Sequence, residues 1–111
     1  MKPGTIQLGP ASLRLGYSGL IPGHLRGKLR EISSLIVDQA ARGKGAASAL
    51  MASVIEQADQ SGVVLMVVVE PFEDGPLDES DLRDWYSRLG FIEVQVMPCV
   101  MARPPKRTLN D

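Results

Sequence analysis

Apolar and polar positions along this chain change period several times, and each change marks an element. Near the start, Leu13, Leu15 and Tyr17 alternate with Arg14 and Gly16, which predicts a short half-buried strand over 11–17. Gly19, Pro22, Gly23 and Gly27 then interrupt any long element before residue 30. Residues 31–37, Glu-Ile-Ser-Ser-Leu-Ile-Val, predict a second strand, and 38–44 a turn. From Gly45 the period lengthens. Ala47, Leu50, Met51, Val54, Ile55 and Ala58 recur at three- and four-residue steps, with Ser48, Ser53, Glu56, Gln57 and Gln60 between them. This is the pattern of an amphipathic helix, and Gly62 stands where such a helix ends.

Residues 63–69 form an unbroken apolar run, which predicts a strand buried on both faces. Strand, helix and strand together make a βαβ unit with parallel strands. An acidic loop with two prolines covers 70–79. Ser80 is the expected N-cap of a short helix, with Asp81 in its first turn. Leu82, Trp85, Tyr86 and Leu89 give that helix its apolar face, and Gly90 stops it. Residues 91–96 and 99–103 read as two closing strands around Met97-Pro98, and the tail from Pro104 as frayed.

Composition narrows the classes. At 111 residues with 44% hydrophobic positions, the chain is expected to form one small domain over 1–111, with no second domain and no internal repeat. Eleven Gly and eight Pro suit an α/β or α+β domain better than a helical bundle. A net charge of −1 offers no basic face for nucleic acid. One cysteine, Cys99, excludes an internal disulfide and a Cys-based zinc site, and a single histidine, His24, argues against a His-rich metal site. Neither a signal peptide nor a membrane-spanning run is visible, so a reduced cytoplasmic setting is the expectation.

Candidate chemistry concentrates at Arg42-Gly43-Lys44-Gly45, between the second strand and the long helix. A helix N-terminus presents unpaired N–H groups, and glycines allow an anion close to them, so a phosphate cradle is one reading. A tight turn whose glycines take positive φ is the other, and the glycines alone favour neither. A dinucleotide fingerprint would need glycine at Ser48, and a Walker A loop would need glycine at Asp38 and Ser or Thr at Gly45.

Further motifs stand in order around this loop. Leu35-x-Val37 and then Arg42-x-x-Gly45-x-Ala47 resemble the acyl-CoA pyrophosphate loop of the GNAT superfamily of N-acetyltransferases. Downstream, Trp85-Tyr86-Ser87-Arg88-Leu89-Gly90-Phe91 resembles that family's Tyr-x-x-x-Gly-Phe element, and Val100-Met101-Ala102-Arg103-Pro104 its closing strand. The resemblance covers 31–104. Three departures accompany it: Gln39 replaces a common proline, Glu79 a common asparagine, and only 30 residues precede the fourth-strand equivalent, too few for the usual first strand and following helices.

The resemblance implies a mixed, mostly antiparallel twisted sheet with a βαβ cofactor-binding core. Residues 1–30 would be a shortened N-terminal part, 31–103 the acyl-CoA-binding core and 104–111 the tail. It implies transfer of an acetyl group from acetyl-CoA to a primary amine by direct attack on the thioester. Leu35, Ile36 and Val37 would hold the pantetheine arm and thioester oxygen through backbone N–H groups. The amides of Arg42, Gly43, Lys44, Gly45, Ala46 and Ala47 would hold the pyrophosphate. Tyr86 would be the general acid, because a phenol is protonated at neutral pH, and Glu31, opening the strand, the general base. Small size predicts a homodimer that covers an exposed edge or face. The alternative is a non-catalytic acyl-CoA-binding or interaction module on the same scaffold.

Overall fold

The computed structural model describes residues 1–17, 28–38, 43, 45–70 and 78–106. Eight elements follow one another: β1 (Gly4–Leu8), β2 (Ala11–Gly16), β3 (Leu29–Val37), α1 (Ala46–Ser61), β4 (Val64–Val68), α2 (Glu79–Arg88), β5 (Ile92–Gln95) and β6 (Val100–Arg103). The strands form one sheet in the order β1-β2-β3-β4-β6-β5. Only β3 and β4 pair in parallel, and α1 is the crossover between them. The expected mixed, mostly antiparallel α/β architecture is therefore the observed one.

β1 has no counterpart in the sequence reading, for a physical reason. It is an edge strand of which only Ile6 is even half-buried, so no apolar alternation betrays it. Its signal is the two-residue Gly9-Pro10 loop, where Gly9 takes φ 57° and Leu8 pairs with Ala11. In β2, Leu13 and Leu15 are buried as the alternation predicts, whereas Tyr17 lies past the strand and is exposed.

α1 begins after Gly45 and ends at Gly62, both in the left-handed region. The Gly62 N–H closes the helix on the carbonyls of Ala58 and Asp59. Leu50, Met51, Val54 and Ala58 are its buried face. α2 starts earlier than its sequence suggests. Asp78, not Ser80, is the N-cap: its carboxylate accepts from the Asp81 N–H at 2.9 Å, while Asp81 accepts from the Asp78 N–H at 3.2 Å. A reciprocal capping box satisfies two donors at once and so outcompetes a lone serine.

β4 also departs from expectation. Val63, Leu65, Val67 and Val69 are buried, but Val64, Met66 and Val68 are only half-buried. Both helices pack on the same face of the sheet, so the other face of β4 lacks a helical cover among the described residues. One core results. Leu13, Leu15, Ile32, Leu65, Val67 and Met101 from the strands meet Leu50, Met51, Val54 and Ala58 of α1 and Leu82 and Tyr86 of α2. Arg103 fastens the helices together at its margin. Its guanidinium donates to the Asp59 carboxylate of α1 at 2.7 Å and to the Leu89 carbonyl beyond α2 at 2.9 Å. This pairing lowers the Asp59 carboxyl below its ordinary range.

Candidate functional site

The site begins where two strands part. β3 and β4 pair from Leu29 with Val64 to Ile32 with Val67 and no further, although β3 runs on to Val37. Beyond that point opens a cleft of about 480 Å³. Its walls are the Glu31–Ile36 stretch of β3, Val67, Val68 and Glu70 of β4 and its exit, and Leu82 and Tyr86 of α2.

A bulge shapes the β3 wall. Arg14 pairs with Ser33 but Ser12 pairs with Ile36, so β3 carries one extra residue against β2. Ser34 takes φ 54°, the one positive φ at a non-glycine among the described residues. Such a conformation costs on the order of 1–3 kcal/mol and persists where the surroundings fix it. No strand pattern in the sequence announces this bulge, yet it leaves a signal. Ile32, Leu35 and Val37 all face the helices, and the step of three between Ile32 and Leu35 breaks the strand's period of two.

α2 supplies the opposite wall. Tyr86 is 5% exposed, and its ring lies 5.3 Å from that of Phe91 and 4.9 Å from that of Trp85. Its hydroxyl has no hydrogen-bond partner among the described residues, while its side chain lines the cleft. Burial pushes the phenol up to about 12. Next to it, the Trp85 indole N–H donates to the Ser48 hydroxyl at 3.4 Å, tying α2 to the first turn of α1.

That first turn has no side-chain cap and no acidic residue. Gly43 and Gly45 take φ 80° and 83°, and a Cβ at either would meet nothing within 4 Å. Among the described residues nothing fills the space before the helix, and Ala46 and Ala47 are the first residues of the turn. An N-terminus left this way suits an anion.

The structure thus gathers Glu31, Leu35, Ile36 and Tyr86 around one cleft. Glu31 is the third residue of β3, not its opening one, and lies in register between Gly16 and Met66. Val37 ends the strand opposite Ala11 and is half-buried. Gly45, Ala46 and Ala47 stand at the α1 N-terminus, with Gly43 just before it. Arg42, Lys44 and His24 lie outside the described residues. Cys99 is buried and its thiol is pushed up by that burial, in keeping with a packing role. Residues not singled out from sequence for the cleft are Ser34, Val67, Val68 and Leu82, which only strand divergence and helix packing bring to it. Among the described residues no helix is long and apolar enough to cross a membrane, and no cluster of His, Cys, Asp or Glu could hold a metal ion.

Comparison with known proteins bears on this arrangement. The fold is similar to the crystal structure of the anti-CRISPR protein AcrVA5, at TM-score 0.69 and 17% identity, covering 92% of this chain and 98% of that one. It is similar to an N-acetyltransferase from Staphylococcus aureus Mu50, at TM-score 0.65 and 18% identity over 86% of this chain and 61% of the other. It is also similar to the GNAT family N-acetyltransferase YhbS from Escherichia coli in complex with CoA, at TM-score 0.60 and 14% identity, covering 85% and 51%. The chain thus spans about three fifths and one half of those two enzymes. No curated protein matches by sequence. The family model of the acetyltransferase (GNAT) domain matches residues 10–93, from the start of β2 into β5. By that match the chain belongs to the GNAT acetyltransferase family.

Proposed function

We propose that this protein transfers an acetyl group from acetyl-CoA to a primary amine, within the cleft between β3 and β4. Membership of the family supports acyl transfer in general. The observation that carries the finer reading is Tyr86, a buried phenol that lines a cleft together with Glu31, neither side chain having a hydrogen-bond partner among the described residues.

Acetyl-CoA, when bound, supplies an activated acyl group on a thioester. The open turn at Gly43 and Gly45 and the amides of Ala46 and Ala47 would receive its pyrophosphate, with Arg42 and Lys44 adding charge. Backbone groups of Leu35, Ile36 and Val37 beside the bulge would orient the acyl end. Glu31 would take the proton from the attacking amine, directly or through water.

Burial pushes the Tyr86 phenol up to about 12, so it stays protonated at neutral pH and can donate to the sulfur as negative charge develops there. Tyr86 would act as the general acid for the departing thiolate.

A thermal-shift titration with acetyl-CoA, followed by a thiol-release assay over a panel of amines, tests the reading. Stabilisation of about 2.7 kcal/mol is expected at a hundredfold excess over the dissociation constant. Gly45→Val should abolish it, because a side chain there fills the open space before α1. Tyr86→Phe should lower kcat about 100-fold with little change in affinity for acetyl-CoA. Binding without release of thiol on any amine would favour the non-catalytic module instead. The proposal includes a homodimer, supported by the exposed apolar side chains along β5.

A further inference from the structure

We infer that the acceptor is an amine carrying a second cationic group, held by Glu70 while its reacting nitrogen lies by Glu31. The inference rests on the proposed acyl transfer and narrows its substrate.

Among the described residues the charge within the cleft is all of one sign. Glu31 and Glu70 both line it, and no Lys, Arg or His does so among the described residues. Neither carboxylate has a hydrogen-bond or ion-pair partner there. The nearest cation in register is Arg14, opposite Ser33, and it lies exposed outside the lining. Arg30, beside Glu31 in sequence but on the helix side of the sheet, donates to the Met1 and Leu29 carbonyls. An independent feature marks the same space as a ligand site: Tyr86, almost wholly buried, lines it, and its hydroxyl has no partner among the described residues. The remaining walls are Ile32, Leu35, Ile36, Val67, Val68 and Leu82, which suit an aliphatic spacer.

A cation that reacts cannot hold an ion pair. The reacting ammonium gives a proton to Glu31, and its lone pair forms the C–N bond to the acyl carbon. The C–S bond breaks with its electron pair on sulfur, and the second proton, shed by the nitrogen as it becomes an amide, passes to that sulfur to make the thiol. A simple monoamine therefore enters the transition state with no charge for Glu70. A second cationic group keeps its pairing throughout and lowers the barrier from free enzyme and substrate. An α-amino acid instead brings a third carboxylate into the cleft, and like charges there repel. The chemistry fits a free aliphatic diamine, or a lysine flanked by another basic residue.

The test compares kcat/KM for an alkyl diamine, the alkyl monoamine of equal length, a lysine peptide with a basic neighbour, and an α-amino acid. Wild type should prefer a dicationic acceptor over the monoamine by about fivefold, and use the amino acid least. Glu70→Gln, at an exposed position that leaves the fold intact, should erase that preference. Whichever dicationic substrate shows the Glu70-dependent preference identifies the source. Transfer with equal use of mono- and dicationic amines, or a preference that survives in Glu70→Gln, overturns the inference and leaves acyl transfer standing. No transfer to any amine overturns both.

Discussion

At the scale of the residue, Tyr86 both packs in the core and lines the cleft, and its ionisation reports on both. Its pKa of about 12 lies above the ordinary phenol value of 10, so the folded state disfavours the phenolate. The contribution is fully present below pH 10 and is lost as pH rises through 12. Wild type should lose about 2 kcal/mol more than Tyr86→Phe between pH 9 and pH 11.5 in urea unfolding. Parallel profiles for the two proteins would place the hydroxyl in bulk solvent and remove it from the cleft. The ring's role in the core and the spacing of Tyr86 from Gly90 were legible in the sequence. Its hydroxyl's lack of a partner among the described residues was not, because it depends on what α2 faces across the cleft.

At the scale of the element, the α2 cap gives a sharp contrast between neighbours. Asp78→Ala removes an acceptor from the Asp81 N–H and should cost about 1 kcal/mol. Ser80→Ala, inside the helix and exposed, should stay within about 0.5 kcal/mol. Thermal unfolding of the two variants measures the difference; equal losses would restore Ser80 as the cap. The same scale explains the cleft. α1 and its glycine ends could be read from period and punctuation, since both are local. Where β3 and β4 stop pairing could not, because separation of two strands far apart in sequence is set by the bulge at Ser34 and the packing of α2.

At the scale of the whole molecule, β5 ends the sheet opposite β1. Ile92 and Val94 on it, and Val96 and Met97 in the turn beyond, are 59%, 57%, 71% and 89% exposed. An apolar edge strand of this kind is a template for pairing with a second copy. Light scattering should show a dimer, and Val94→Lys should return it to monomer. A wild-type monomer at high concentration would refute the pairing.

The sequence by itself determined the βαβ unit, the glycine that ends α1, the apolar face of α2, and the motif order that marks a GNAT domain. These rest on local periodicity and on backbone conformations that particular residues permit. Tertiary structure alone decided that both helices share one face, leaving the other face of β4 without a helix among the described residues. It also decided that β3 bulges and parts from β4, so that Glu31, Glu70 and Tyr86 meet across one cleft. Those outcomes depend on register and packing between distant segments, which no single stretch of the chain encodes.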